Sequence, residues 1–389
     1  MKITFVDQNI DGMGGVERII CTLANGLSEN NDILIINEER KNAEPFFKYN
    51  DNIRIINILN FYNESNKKKA NKYINLFDKI IQKVARKNIK IFINKNIKEE
   101  LYKSDVIIFG RSTVSFKYLK LFLRREKRPQ IIVRDASNYY CISSKAKKKI
   151  KKLFPKTVDT FIVSSDESMK IYQDFFKEKN IKMKKIYNPL GIIPNVGYNY
   201  DSKNIVALGR FDKQKGFENL ILAFSIVNKK YPDWKLSIYG KGNYGNKLKK
   251  IIKENNIKNA FIKSQEKDVV KIFNESSIYV MSSRYEGYAN SLVEALACGI
   301  PSISYNWLTG PDEIIKNNVN GLIVNVENRI KFLGGEVNSH DIIELAKAII
   351  HLIENQDVCK KLSENSIKIV ESRDKNKIIA EWEKIIRSK

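Results

Sequence analysis

The sequence has few of the residues that build disulfide-bonded or metal-binding proteins. Its 389 residues include only four cysteines and two histidines. The cysteines lack the close spacing typical of a disulfide framework or a zinc site, and neither an Asp-x-Asp pair nor a cluster of histidine with carboxylates is evident. We therefore expect reduced thiols, no metal site and no cofactor. The cysteines are Cys21, Cys141, Cys298 and Cys359.

Long apolar stretches are also missing. No segment approaches the ~20 uninterrupted apolar residues that a membrane-spanning helix needs. The N-terminus runs directly into the strand-like sequence KITFVD, without the charged and apolar regions of a secretory signal peptide. We therefore expect a cytoplasmic protein. Its apolar content of 43% is sufficient for the cores of two domains at this length.

Acidic residues are scarce relative to basic ones, and the net charge is +25. Residues 67–156 carry 27 basic and only 6 acidic side chains. Such a field attracts nucleic acid, an anionic membrane surface or a phosphorylated substrate, although an AT-rich genome would also raise the lysine content. A nucleic-acid surface is expected to interleave aromatic residues with its lysines, yet Phe154 is the only aromatic residue in the densest basic run, 145–156. We therefore expect a membrane surface and no nucleic acid.

The basic run KAKKKIKKLFPK predicts an amphipathic helix. Ala146, Ile150, Leu153 and Phe154 recur at helical spacing, and lysines surround them. A helix of this kind suits an anionic leaflet, where each basic residue contributes ~1 kcal/mol. Alternatively, the apolar stripe packs on its own domain and the lysines are solvated. The predicted membrane or acceptor patch consists of Arg124, Arg125, Lys147, Lys148, Lys149, Lys151 and Lys152.

Strand-like and helical segments alternate along the chain. Short apolar runs at 33–37, 53–57, 106–109, 130–134 and 160–164 predict strands. This alternation is typical of an α/β fold in which helices cover both faces of a parallel sheet. A polar stretch from 192 to 203 predicts a linker to a second domain of the same kind.

Two carboxylates eight positions apart, Glu286 and Glu294, are the strongest candidates for a ligand site. The run SIYVM before Glu286 predicts a buried strand, and SLVEALACG after Asn290 predicts a helix that contains Glu294. Glu286 would then lie on the connecting loop, where Gly287 and Ala289 allow a ligand to approach the backbone. Amide groups suit a diphosphate and carboxylates suit hydroxyl groups, so this pattern indicates a nucleotide sugar.

Glycine-containing loops with basic residues precede other predicted helices. Gly14 and Gly15 open a helix after the first strand, in a position that commonly faces phosphate. In the second domain, GRFDKQKG carries Arg210 and Lys215, and two cations on one loop suit a diphosphate. At the end of the strand 130–134, Asp135 either holds an acceptor hydroxyl or caps the turn.

The segment SRYEGYANSLVEALACGIP resembles the nucleotide-sugar signature of the retaining glycosyltransferases of family 4. GGVER, NPLG and GRFDKQKG are similar to other motifs of that family and occur in the expected order. The resemblance implies the GT-B architecture, with two Rossmann-like doubly wound domains facing a cleft and a C-terminal helix that crosses back to the first domain. The implied boundaries are 1–192 for an acceptor domain, 203–372 for a nucleotide-sugar domain and 373–389 for the crossing helix.

The resemblance also implies roles for individual residues. Glu286 would lie by the transferred sugar and Glu294 would contact the ribose, while Arg210 and Lys215 would neutralise the leaving diphosphate. With Asp135, which stands near a position where many relatives have histidine, these residues form the catalytic set of Glu286, Arg210, Lys215 and Asp135. The donor-binding set is Gly14, Gly15, Gly209, Arg210, Lys215, Gly240, Ile262, Lys263, Glu286, Gly287, Tyr288, Ala289, Asn290, Ser291 and Glu294.

These observations predict a retaining, metal-independent transferase. It would move a hexose or an N-acetylhexosamine from a UDP-sugar to a polyprenyl-diphosphate-linked saccharide at the inner face of the cell membrane, during surface glycan synthesis. A glycolipid-forming or soluble-acceptor transferase remains open, and a nucleotide-sugar epimerase of the same architecture or a nucleic-acid-binding protein is a more distant alternative.

Overall fold

The computed structural model describes residues 1–60, 84, 93, 95–123, 127–135, 137–335 and 338–388. By spatial clustering the chain forms two compact units. The first contains residues 1–191 and 375–389, and the second contains residues 192–374. Arg124 and Arg125 of the predicted membrane patch lie outside the described residues.

The first unit contains a parallel sheet of seven described strands: β1 (Lys2–Asp7), β2 (Asp32–Arg40), β3 (Arg54–Asn60), β4 (Val106–Phe109), β5 (Gln130–Arg134), β6 (Thr160–Val163) and β7 (Met183–Lys185). Their order in the sheet is β3-β2-β1-β4-β5-β6-β7. Its described helices include α1 (Gly15–Leu27), α2 (Lys95–Tyr102), α3 (Ser112–Ser115), α4 (Ser144–Thr157), α5 (Asp166–Phe176) and the C-terminal helix (Lys375–Arg387). Single 3-10 turns occur at Leu119–Leu121 and Tyr139–Cys141.

Side chains of the inner strands of this sheet are buried on both faces, whereas those of the edge strands β3 and β7 are largely exposed or half-buried. Along β1, Ile3 and Phe5 pack in one apolar cluster with α1, and Val6 packs in another with Phe109. Strands covered on both faces are apolar along their whole length, which explains continuous runs such as VIIF in β4.

The C-terminal helix belongs to the core of the first unit. Its Trp382 is buried in the same cluster as Ile3 and Phe5. The helix packs on α1 at Gly26, where an added Cβ atom would overlap Ile379. Glycine at this position therefore allows the two helices to approach closely.

The second unit contains a parallel sheet of six described strands: β8 (Asn204–Leu208), β9 (Lys235–Gly240), β10 (Ala260–Ser264), β11 (Ile278–Met281), β12 (Ser302–Tyr305) and β13 (Leu322–Val324). Their order in the sheet is β10-β9-β8-β11-β12-β13. Its helices are α6 (Phe217–Lys230), α7 (Gly245–Glu254), α8 (Val269–Asn274), α9 (Asn290–Ala297), α10 (Arg329–Gly334), α11 (Ser339–Glu354), α12 (Gln356–Ser366) and α13 (Ile369–Ser372), with 3-10 turns at Lys213–Lys215 and Pro311–Glu313.

In both sheets, the direction in which consecutive strands are added reverses at an internal strand. The chain builds outward from β1 to β3 and then returns to place β4 on the other side of β1, and β8 and β11 repeat this arrangement. In doubly wound folds, ligands bind beyond the carboxyl ends of the strands at such a reversal. The predicted doubly wound α/β fold is confirmed, and the expected ligand sites follow β1 and β4 in the first unit and β8 and β11 in the second.

The predicted lysine-rich helix is present as α4, but its apolar stripe is not available to a lipid surface. Ile150, Leu153 and Phe154 are buried in the core of the first unit, and Phe154 packs edge-to-face on Phe161 of β6 with the ring centroids 5.5 Å apart. The prediction that this stripe enters a leaflet is therefore wrong, because covering the sheet requires the same side chains. Of the predicted patch on α4, Lys148, Lys149, Lys151 and Lys152 are exposed and Lys147 is half-buried.

Neither a membrane-crossing helix nor a metal site is found in the described ranges. No helix there combines the length and the apolar character that crossing a bilayer requires. Among the same residues, no group of three or more histidine, cysteine, aspartate or glutamate side chains is placed to hold a metal ion.

Candidate active site

The two carboxylates singled out from the sequence lie on the predicted elements. β11 ends at Met281, the loop that follows carries Glu286, and Glu294 is the fifth residue of α9. Both carboxylates are buried, with 7% of Glu286 and 4% of Glu294 exposed. Charged groups at this depth require partners, so the contacts of Glu286 define the local electrostatics.

Glu286 is held by two residues of the loop that follows β8. Lys215 Nζ lies 2.7 Å from its Oε1, and Gln214 Nε2 donates to its Oε2 at 3.1 Å. The side chains of Lys215 and Glu286 are only 13% and 9% exposed, so water screens this ion pair weakly. Gln214 also donates to the carbonyl of Tyr285 at 3.0 Å, which ties the two loops together.

Arg210 lies on the same loop but is largely solvated. Its side chain is 68% exposed, and it approaches Asp212 Oδ2 at 3.2 Å and donates to Gln214 Oε1 at 2.8 Å. Exposed ion pairs contribute little to stability. The guanidinium can therefore exchange these contacts for a phosphate at small cost.

Glycines make room for the Lys215 side chain and the surrounding loops. A Cβ atom at Gly209 would come within 2.8 Å of Lys215 Cε, and one at Gly240 would overlap the carbonyl oxygen of Gly209. Gly216 has a φ of 57° and packs against the carbonyl of Ser282. These contacts explain why small residues occur where β8 and β9 end.

The remaining predicted donor residues are spread over two parts of the second unit. Gly287, Tyr288 and Ala289 lie on the loop before α9, and Asn290 and Ser291 are the first residues of that helix. The Ser291 hydroxyl accepts a hydrogen bond from Tyr279 at 2.9 Å.

Ile262 and Lys263, predicted to frame the base, lie on the edge strand β10, two strands from β8. Ile262 is half-buried and Lys263 is exposed, with its Nζ donating to the Tyr239 hydroxyl at 3.0 Å.

The first unit places a cluster of charged residues beyond β1 and β4. Asp7 ends β1, and Arg111 follows β4. Arg111 pairs with Asp7 through Nη1, and its Nη2 lies 2.7 Å from Glu17 Oε1. Burial raises the pKa of Asp7 to about 6, although Arg111 opposes this change. Predicted Gly14 immediately precedes α1 and Gly15 begins it, so the cluster adjoins the predicted glycine loop.

Asp135, the predicted acceptor residue, follows β5 in the first unit. Burial raises its pKa to about 6, while the amide of Ser137, which donates to Oδ1 at 3.2 Å, lowers it. Its neighbour Arg134 is also buried and donates through Nη2 to Asn188 Oδ1 at 2.6 Å. The carboxyl group therefore titrates closer to neutral pH than an exposed aspartate does.

Sequence reasoning missed several residues of these sites. Gln214 lies within the recognised GRFDKQKG segment, and Asp7 and Arg111 stand where predicted strands end, so position alone offered a signal for all three. Arg373 offered none. Its Nε donates to the hydroxyl of Tyr288 at 2.5 Å across 85 positions of the chain.

Comparisons with known proteins agree with this architecture. Residues 192–369 match the family model described as glycosyl transferases group 1. The chain is 27% identical over 389 residues to an uncharacterized glycosyltransferase of Haemophilus influenzae, covering 99% of each chain. It is 24% identical over 391 residues to the GalNAc-α-(1→4)-GalNAc-α-(1→3)-diNAcBac-PP-undecaprenol α-1,4-N-acetyl-D-galactosaminyltransferase of Campylobacter jejuni, covering 99% of this chain and 98% of the relative.

A solved structure with the same fold is that of a variant of S. aureus TarM in complex with Fondaparinux, alpha-GlcNAc-glycerol and UDP. It has a TM-score of 0.77 at 15% identity and covers 100% of both chains. At this identity the likeness establishes the GT-B fold alone. The family match covers most of the second unit, and the likeness to proteins named as glycosyltransferases extends over nearly the whole chain.

Proposed function

We propose that this glycosyltransferase moves a hexose or an N-acetylhexosamine from a UDP-sugar to a polyprenyl-diphosphate-linked saccharide, with retention of anomeric configuration and without a metal ion. The observation that carries the proposal is the placement of Arg210 and Lys215 beyond β8, with Lys215 in contact with the buried Glu286. In this arrangement the cations suit an anionic leaving group, and the adjacent carboxylate suits the hydroxyl groups of a sugar.

The two units offer different sets of charged groups near the ends of their strands, with more cations in the second and more carboxylates in the first. In the second unit, Arg210 and Lys215 suit the diphosphate of a donor. In the first unit, Asp7, Glu17 and Asp135 suit the hydroxyl groups of a saccharide. We therefore assign the donor to the second unit and the acceptor to the first.

In this proposal the side chains act mainly on departure of the diphosphate. Lys215 and Arg210, with the N-terminus of α9, stabilise the negative charge that grows on the leaving group. Glu286 orients the transferred sugar by accepting hydrogen bonds from its hydroxyl groups, and Glu294 does the same for the ribose. Contact with Glu286 also holds the Lys215 side chain in place before the donor binds.

Asp135 is assigned to the acceptor. Its carboxyl group has a pKa of about 6 because it is buried, so near neutral pH it is largely ionised and able to accept a hydrogen bond from a nucleophilic hydroxyl.

A lipid-linked acceptor is supported by the basic surface and by a relative. The name of the Campylobacter jejuni relative includes a PP-undecaprenol acceptor, and α4 exposes Lys148, Lys149, Lys151 and Lys152 on one helix. Since the apolar stripe of α4 is packed internally, we propose that the protein associates with the inner face of the membrane by electrostatic attraction rather than by insertion.

Donor binding is tested by thermal shift with UDP, GDP and their sugars. We expect UDP and one UDP-sugar to raise the melting temperature of the wild type but not that of Glu294→Ala. Glu364→Ala, at an exposed glutamate of the same unit, serves as the matched control and should respond like the wild type. Absence of a shift with any uridine nucleotide would refute the donor assignment.

The reaction itself is tested by transfer to short polyprenyl-diphosphate saccharides, followed by NMR of the product. We expect the α or β configuration of the donor to persist, and we expect EDTA to leave the rate unchanged. An inverted product would exclude retention. A rate lost with EDTA and restored by Mg²⁺ would exclude the metal-independent reaction, and transfer only to diacylglycerol or soluble sugars would replace the proposed acceptor.

A further inference from the structure

Tyr288 lies in the loop between β11 and α9, and contacts with other residues hold this loop on both sides of it. On one side, Gln214 holds the carbonyl of Tyr285, and the Thr309 hydroxyl donates to the carbonyl of Glu286 at 3.3 Å. On the other side, the loop enters α9 through buried Ala289. Tyr288 itself is half-buried, so the position of its ring depends on what holds its hydroxyl group.

The hydroxyl of Tyr288 is held by Arg373. Arg373 Nε donates to it at 2.5 Å, and the guanidinium carbon lies 6.0 Å from the centroid of the Tyr288 ring. Arg373 is only 2% exposed, and its Nη1 donates to the carbonyl of Ser372 at 3.2 Å and to the Ser372 hydroxyl at 2.8 Å. Contacts on both sides fix the guanidinium, so it is a rigid support and not a mobile surface charge.

We propose that Arg373 is a positioning residue for donor-sugar recognition, acting through the hydroxyl of Tyr288. The inference rests on the proposed function, which places the transferred sugar against Glu286 and the loop that follows it. A hydrogen bond from a buried cation to a neutral hydroxyl is stronger and more directional than one between neutral groups. It fixes the position of the Tyr288 ring on the loop that follows Glu286, and the loop then presents a fixed surface to the sugar.

Arg373 lies outside the segment that carries the nucleotide-sugar signature. It follows α13 and precedes Lys375, the first residue of the C-terminal helix and of the segment that returns to the first unit. The support for the sugar loop therefore comes from the end of the second unit in sequence, far from the segment 283–304.

The test compares Tyr288→Phe, Arg373→Met, the double variant and Arg373→Lys. Steady-state transfer is measured with UDP-glucose, UDP-galactose, UDP-GlcNAc and UDP-GalNAc as donors, and the Kd of UDP is measured separately. We expect each single variant to lower kcat/KM for the donor about tenfold, and the double variant to lose no more than either single variant, because both changes remove one interaction. The Kd of UDP should change less than about twofold, and Arg373→Lys should recover part of the loss.

Tyr231→Phe is the matched control. The Tyr231 hydroxyl also contacts a charged partner of the second unit, Glu354, but this pair is exposed. We expect wild-type kinetics from this variant. Stability alone does not discriminate, because removing the Tyr288 hydroxyl leaves a buried donor of Arg373 without this acceptor and lowers the melting temperature in any case.

The outcomes of this test separate the inference from the proposed function. If the wild type transfers sugar and the variants differ from it only in melting temperature, Arg373 is purely structural and the inference is overturned. Equal weakening of UDP and donor binding, or additive losses in the double variant, would overturn it as well. If the wild type neither binds nor transfers any nucleotide sugar in the panel, the proposed function fails first and the inference fails with it.

Discussion

Replacing Asp135 by asparagine should stabilise the first unit at neutral pH while impairing the enzyme. Burial raises the pKa of this carboxyl from 3.8 to about 6. Because the folded state then binds the proton more tightly than the unfolded state, stability is lost as the pH rises from about 4 to about 6. At 1.36 kcal/mol per pKa unit, the ionised carboxyl costs about 3 kcal/mol above this range. The amide side chain of the variant cannot ionise, and it still offers an oxygen to the backbone N–H of Ser137.

The stability difference should therefore depend on pH in a defined direction. At pH 7.5 we expect Asp135→Asn to be up to about 3 kcal/mol more stable than the wild type, and near pH 4 we expect the two to be equal. Fluorescence of Trp382 reports the first unit if both proteins carry Trp234→Phe and Trp307→Phe, since the chain has three tryptophans. Urea titrations at constant ionic strength supply the free energy of unfolding.

The matched control is Asp51→Asn, since Asp51 is an exposed carboxylate of the same unit. It should change stability by less than about 0.5 kcal/mol at either pH. Transfer by Asp135→Asn should fall at least about tenfold at pH 7.5, because the amide group is a poorer acceptor for a nucleophilic hydroxyl. A variant that is less stable than the wild type at pH 7.5 would refute the reasoning, since it would show that the ionised carboxylate is stabilised by its surroundings.

Further predictions concern the second unit and the lysine face. Lys215→Met leaves the buried Glu286 without its cation. We therefore expect a loss of about 3 kcal/mol in stability and at least about 100-fold slower transfer. Kinetics close to those of the wild type would contradict the assigned role. Gly240→Ala forces a methyl group against the carbonyl of Gly209, and calorimetry should show a loss of about 2 kcal/mol or more. Replacing Lys148 and Lys152 by glutamate should weaken sedimentation with anionic vesicles more than about tenfold, and binding that resists high salt would contradict electrostatic association.

The fold was largely predictable because its signals are local. Runs such as VIIF in β4 and TFIV in β6 are apolar throughout, as strands buried on both faces must be. The strand at 278–281 and the helix that begins at Asn290 were likewise marked by composition and by a glycine-containing loop. The use of the apolar stripe on α4 was predicted incorrectly, because periodicity identifies an apolar face but not the surface that covers it.

The candidate site was predictable only as far as its motifs extend. Glu286 and Lys215 belong to recognisable segments, and the structure brings them within 2.7 Å. The contact between Arg373 and Tyr288 joins residues 85 positions apart, and no periodicity or composition connects them. Such pairs depend on how α13 packs in the second unit, which is a property of the tertiary structure and not of either segment.

The first unit carries buried acidic groups near the ends of its strands and exposed basic groups on its surface. Near the ends of β1 and β2 lie two buried acidic groups: Asp7, which pairs with Arg111, and Glu38, whose pKa is raised by burial despite the nearby Lys117. Among the described residues, α4 instead carries exposed lysines. A uniformly basic unit would favour phosphate at its strand ends, whereas this arrangement favours hydroxyl groups there and anions on the outer surface. The basic composition therefore supports the proposed membrane association and not the recognition of the reacting sugar, so neutralising the lysines of α4 should lower activity on membrane-bound acceptors without changing the KM for a short soluble one.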